Sequence, residues 1–155
     1  EESAHLKAQH ELIRLGRATG CSIWVASNDK NKKYKGTSLG QLCLKKLPSL
    51  GLSDEATKRI SLIDVIWLRQ NGPVCAFEVE ETTSVYSGLL RMSDLISVIP
   101  ALNIKLFIVA PRERQGRFMA ELNRPHFPED WVKRILSIHC QRRFGKASSE
   151  RRGVS

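Results

Sequence analysis

The chain is predicted to fold as an α/β domain with a mixed central sheet flanked by helices, and three stretches carry that expectation. Residues 62–68 and 74–80 are runs rich in branched and aromatic side chains on either side of Arg69-Gln70-Asn71-Gly72-Pro73, and Asn-Gly is a strong hairpin signal. Val85, Leu89, Met92, Ile96 and Ile99 recur at helical spacing and stop before Pro100. Residues 104–110 are almost continuously apolar, as a parallel strand buried on both faces is. Strand, helix and strand at this length form a right-handed crossover, so a parallel pairing joins the antiparallel hairpin.

In chain order, residues 3–18 read as a helix with Ala4, Ala8, Leu12 and Leu15 on one stripe, widened by Leu6 and Ile13 and ended by Gly16 or Gly20. Glu11 borders that stripe, an uncommon place for an idle carboxylate, although a boundary Glu also reaches water easily. Residues 21–26 form a strand. The loop after it, 27–36, sets Lys30, Lys32, Lys33 and Lys35 around Tyr34, suited to a phosphate backbone or simply to solvent. A short apolar segment, 38–52, precedes a helix opened by Ser53, Asp54 and Glu55. Beyond the hairpin and the 85–99 helix, residues 111–122 open as a basic helix, and a last short strand falls within 134–140.

The hairpin matters most because it carries acids. Asp64 shares a strand face with Ile66, and Glu78 and Glu80 share one with Ala76. Directly opposed residues of an antiparallel pair point to the same side, so register decides whether the three meet. A two-residue Asn71-Gly72 turn would set Asp64 opposite Val79 and separate them; a three-residue loop or one bulge would gather them. Pro73 offers no ladder hydrogen bond and favours the irregular solution. Convergence is therefore expected. Acids crowded on an apolar sheet repel unless a positive group lies between them, for which a hard divalent cation is the usual partner; acids at a solvated strand end are the plainer alternative.

At 155 residues and 41% hydrophobic content the chain suits one compact domain, predicted over 1–141, with a basic tail at 142–155 that has little to bury. Lys plus Arg outnumber Asp plus Glu by 25 to 16, a balance of +9 that favours polyanions and also keeps a protein soluble. No apolar run has the length of a membrane span. Cys21, Cys43, Cys75 and Cys140 form no Cys-x-x-Cys pair and fit reduced thiols of a cytoplasmic protein, with no zinc expected. The absence of a Gly-rich phosphate loop and of a G-x-S-x-G elbow disfavours a nucleotide-binding domain and a serine hydrolase.

The order of these elements, with Ile63-Asp64-Val65 on one strand and Phe77-Glu78-Val79-Glu80 on the next, followed at once by the helix with Arg91, resembles the PD-(D/E)xK nuclease superfamily, the restriction endonuclease-like fold. The resemblance spans roughly residues 5–140, and residues 76–95 also resemble an uncharacterised bacterial branch described as nuclease-like. It implies a metal-dependent endonuclease acting on DNA, as a nuclease domain of a larger bacterial defence or DNA-processing protein. Asp64, Glu78 and Glu80 would hold Mg²⁺, with Mn²⁺ able to substitute, and Glu11 would match a first-helix carboxylate of several subfamilies. Lys105, Arg91 and the lysines of the basic loop would contact DNA. The chain departs from the pattern at Glu80, where lysine is usual. A catalytically silent module for nucleic-acid binding or protein interaction is the alternative, and a homodimer and attachment to further domains both stay open.

Overall fold

The computed structural model describes residues 3–80, 85–98, 103–125 and 135–140. The expected helix end at Ile99 and Pro100, and the basic tail, lie outside them.

Helix α1, Ala4–Ala18, is capped by Ser3, whose hydroxyl oxygen accepts from the Leu6 N–H at 3.2 Å. Its buried positions are Gln9, Leu12, Ile13 and Gly16, while Leu15, expected on the buried stripe, is 43% exposed. The stripe turns because α1 lies flat on the sheet at Gly16, where a Cβ would collide with Ile23 and fall 2.5 Å from Trp67 Nε1. That indole instead donates to the Leu12 carbonyl at 3.0 Å. Two short strands follow, β2 (Lys33–Tyr34) and β3 (Thr37–Ser38), closed by Lys35 and Gly36 at positive φ. Part of the expected basic loop is thus a small ribbon, held because Tyr34 is buried against the His10 ring of α1.

The main sheet is formed by β1 (Ser22–Val25), β4 (Val65–Arg69), β5 (Gly72–Val79), β6 (Lys105–Pro111) and β7 (Ile135–Cys140), in the order β1-β4-β5-β6-β7. The first two pairings are antiparallel and the last two parallel, which makes the sheet mixed as predicted. Alternation along the strands builds two cores. Ile66, Leu68, Ala76, Leu106 and Ile108 pack with Leu89, Met92 and Leu95 of α3 (Val85–Val98), together with α2 (Asp54–Ile60) and α4 (Gln115–Leu122). Val65, Phe77, Val79 and Val109 pack with Leu12 and Ile13 of α1. Each fully buried aliphatic side chain contributes about 1.5–3 kcal/mol. No described helix is long and apolar enough to cross a membrane.

The hairpin register is the feature that positions the site. The turn is Gln70-Asn71, both at positive φ (49° and 63°), and not Asn71-Gly72; Gly72 already pairs with Arg69. A tight turn of this kind sets Leu68 opposite Pro73, yet Trp67 lies opposite Cys75, so Val74 is an extra residue. Beyond this bulge Val65 faces Phe77, and one step further the same register sets Asp64 against Glu78.

Candidate active site at the carboxyl end of the parallel strands

Asp64 lies immediately before β4, where the β4–β5 ladder has run out. Its Oδ2 takes the place of the missing strand by accepting from the Val79 N–H at 2.7 Å, and its carbonyl accepts from Ala26 N–H at 3.2 Å. Glu78, on the α3 side of β5, is bound by Arg91 of α3 through Nε at 2.8 Å and Nη2 at 2.9 Å, one nitrogen for each carboxyl oxygen. Glu80 follows β5, its N–H donating to the Val109 carbonyl at 2.8 Å. Asp64, Glu78 and Glu80 are all buried.

The acids feel one another. Burial pushes the Glu78 carboxyl well above the ordinary range; the Arg91 fork pulls against this, while the Asp64 charge and a hydrogen bond to Asp64 add to it. Burial and then the Asp64 charge push Glu80 up to about 7, against the pull of Arg91, His5 and Arg114. The helix that covers these acids can approach because position 88 is glycine: a Cβ there would lie 2.5 Å from Glu80 Oε1 and 3.3 Å from Glu78 Cβ.

On its other side Asp64 meets α1 and the turn after β1. His5 Nε2 is 3.5 Å from Asp64 Oδ1 and 4.0 Å from Asp29 Oδ2. Gln9, one helical turn on, donates from Nε2 to Asp29 Oδ2 at 3.0 Å and to the Asp64 carbonyl at 3.3 Å. Lys32 Nζ is 2.6 Å from Asp29 Oδ1. Ser3, His5, Leu6, Asn28, Asp29, Lys32 and Asp64 line a cleft of about 520 Å³.

Among the described residues, His5, Asp29 and Asp64 form a donor set whose ligand atoms lie within 4.8 Å of one another. Carboxylate oxygens and a neutral imidazole are donors that divalent cations accept, and separations of 3.5–4.0 Å are too long for hydrogen bonds but compatible with flanking an ion. These residues fit a divalent cation. Asp64 belongs to this set and also to the acidic wall with Glu78 and Glu80.

The other expected site residues fall differently. Glu11 is bound by Arg14 at 2.9 Å and lies 4.0 Å from His10; at about 100° per residue it points roughly opposite Gln9, so His5 and Gln9, not Glu11, carry α1 to Asp64. Lys30 donates to the Lys45 carbonyl at 2.7 Å and sits over the Trp24 ring at 3.8 Å. Lys33 is exposed, and Lys35 lies 5.5 Å from the Tyr34 ring. Lys105 pairs with Cys75 at the start of β6, three residues from the level of Glu78. Taken singly, Gln9, Asp29, Gly88 and Arg114, whose charge acts on Glu80 and whose Nη1 is buried without a hydrogen-bond partner, carry no signal of a site in the sequence, where His5 is one of four scattered histidines. The i, i+4 spacing of His5 and Gln9 was the one available signal.

The family described as "Type II restriction enzyme NmeDI C-terminal domain" matches residues 1–140. The Type II restriction enzyme NmeDI of Neisseria meningitidis serogroup C is 31% identical over 163 aligned residues, which cover 94% of this chain and 46% of that protein. The chain thus spans less than half the length of this relative. No solved structure matches.

Proposed function

The chain belongs to the family of the NmeDI C-terminal domain, a restriction-enzyme family, and from that premise we propose that it hydrolyses DNA phosphodiesters with the help of a divalent cation, as a PD-(D/E)xK nuclease domain. The observation that carries this reading is the Val74 bulge, which brings Asp64 to the level of Glu78 at the carboxyl end of the parallel strands. A divalent cation, Mg²⁺ or Mn²⁺, would supply charge against the scissile phosphate and ease deprotonation of the attacking water. Asp64 would hold it, with His5 and Asp29 on the cleft side and with Glu78 and Glu80 on the wall. Glu80, with a carboxyl near 7, suits the proton transfer that an attacking water requires. Lys33 and Lys35, on the β2–β3 ribbon, suit contact with the DNA backbone outside the cleft.

A second reading has its own support. Arg91 occupies both oxygens of Glu78, and Glu80 stands where a cationic residue is usual, as a catalytically silent binding module would permit. Supercoiled DNA incubated with Mg²⁺ or Mn²⁺ and with wild type, Asp64→Asn or Glu80→Lys separates the two. A working nuclease nicks or linearises DNA as wild type, loses this in Asp64→Asn and is impaired in Glu80→Lys. Wild-type inactivity in both metals, with no metal-induced rise in Tm, decides for the silent module.

A further inference from the structure

Glu78 and Arg91 are joined as fork to fork, a geometry that employs both carboxylate oxygens and fixes the guanidinium plane. The two partners are unequally enclosed: the Glu78 side chain is 1% exposed, that of Arg91 27%. The carboxylate is therefore part of the wall, while the guanidinium keeps a route to solvent. Gly88, one turn before Arg91, leaves no side chain of that residue between α3 and the acids. Of the other cations of the neighbourhood, Lys32 is committed to Asp29 and Lys30 to Trp24 and the Lys45 carbonyl, while Arg114 pulls on Glu80 but its Nη1 has no hydrogen-bond partner, so Arg91 is the one that holds an acid of the wall by a two-pronged fork. Position 80 is itself acidic, so the positive charge that a phosphate needs has to come from another element.

We propose that Arg91 is the phosphate-contacting residue of the reaction and that Glu78 is only its resting partner: a divalent cation displaces the guanidinium from the acidic wall, and the released fork binds the scissile phosphate. The inference rests on the nuclease reading above. Asp64, Glu78 and Glu80, all buried, offer up to three negative charges; a divalent cation offsets two of them, so Arg91 then faces a single remaining charge and a phosphate can compete for its fork. Arginine suits both posts because its planar fork matches carboxylate and phosphate alike.

Competition gives a signature that a merely structural ion pair lacks. Mn²⁺ titrated calorimetrically into the full chain without nucleic acid should bind several-fold more tightly to Arg91→Gln than to wild type, by a smaller factor to Arg91→Lys, and not to Asp64→Asn. Duplex DNA binding should then be measured against salt, in Ca²⁺ and in chelator. Arg91→Gln should flatten the logarithmic salt slope by about one in Ca²⁺, where the fork is released, and leave it unchanged in chelator, where the fork is already spent on Glu78. If Arg91→Gln does not fold, Arg91→Lys, which keeps the charge and loses the fork, carries the Mn²⁺ titration, where tighter binding than wild type is expected and equal or weaker binding overturns the exchange. Mn²⁺ bound by wild type, lost in Asp64→Asn and unaffected or weakened by changes at Arg91 overturns the exchange alone, as does a slope that falls equally under both conditions. Mn²⁺ ignored by wild type removes the metal reading and the exchange with it.

Discussion

The two surroundings of Asp64 differ in how their charges are balanced. On the α1 side, Asp29 is balanced by an exposed lysine, Lys32, at the edge of an open cleft, and the imidazole of His5 stands within reach of both aspartates. On the α3 side, Glu78 is sealed under a helix and tied by a bidentate arginine, with Glu80 pressed beneath Gly88. An exposed ammonium is a weak and exchangeable partner, typically within about 1 kcal/mol. A buried fork is a strong one, and removal of one partner of such a pair costs roughly 3–5 kcal/mol where the other stays charged. The cleft is thus the side through which an ion enters most easily, and the wall is the side that has to be opened.

The largest effect should come from the residue common to both. A cation bound at about a hundred times its Kd stabilises the native state by roughly 2.7 kcal/mol, a rise of roughly 5–10 °C in Tm for a chain of this size. Thermal melts with and without Mn²⁺ should show that rise in wild type and none in Asp64→Asn. An equal rise in both proteins would break the picture of Asp64 as the shared ligand.

Next in size, His5→Ala and Asp29→Asn should each weaken Mn²⁺ about tenfold or more if the cleft holds the ion, on the scale by which altered metal surroundings change affinity. Affinity untouched by either change would move the ion wholly onto the Glu78 and Glu80 wall.

A more gradual effect, spread along the pH scale, belongs to the wall without metal. The Glu80 carboxyl titrates at an ordinary 4.5 when unfolded and at about 7 when folded, because burial and the Asp64 charge disfavour its ionised form. An acid raised on folding contributes stability below the unfolded value, and that contribution fades as pH rises through the folded one. Stability should therefore decline between about pH 4.5 and pH 7, and Glu80→Gln should flatten that part of a Tm-against-pH curve. Saturating Mn²⁺ should flatten it as well if Glu80 is a ligand.

The smallest effect is expected at Lys32. Lys32→Met should change Tm by no more than an exposed ion pair allows and should tighten Mn²⁺ slightly, since a competing ammonium is gone. A loss of Mn²⁺ affinity would mean that the lysine organises Asp29 instead of competing for it.

The two sides were also unequally legible in the amino-acid order. Strands advertise themselves by branched and aromatic runs, so the hairpin, the buried strand β6 and the acids on the wall could be read directly. The turn could not be assigned by composition, because Asn71-Gly72 is a good turn pair, yet ladder pairing claims Gly72 and pushes the bend back to Gln70-Asn71. The cleft side was nearly invisible. Asp29 lies among four lysines, and a list of charges does not say which one faces inward. The buried stripe of α1 lies part of a turn away from the one its apolar spacing predicts because Gly16, not a large side chain, sets the closest approach to the sheet. That rotation turns His5 and Gln9, and not Glu11, toward Asp64.

The bulge at Val74 makes the site a question of parity. With the Gln70-Asn71 turn and no extra residue, the register of Leu68 with Pro73 would continue, and Asp64 would stand level with Phe77. Every side chain from Cys75 to Glu80 would then change faces: Phe77 and Val79 would join Asp64, and the two glutamates would be driven into the apolar layer beneath α1. One uncounted residue therefore sorts six others, and the acidic wall depends on an odd number in the backbone as much as on any carboxylate in it.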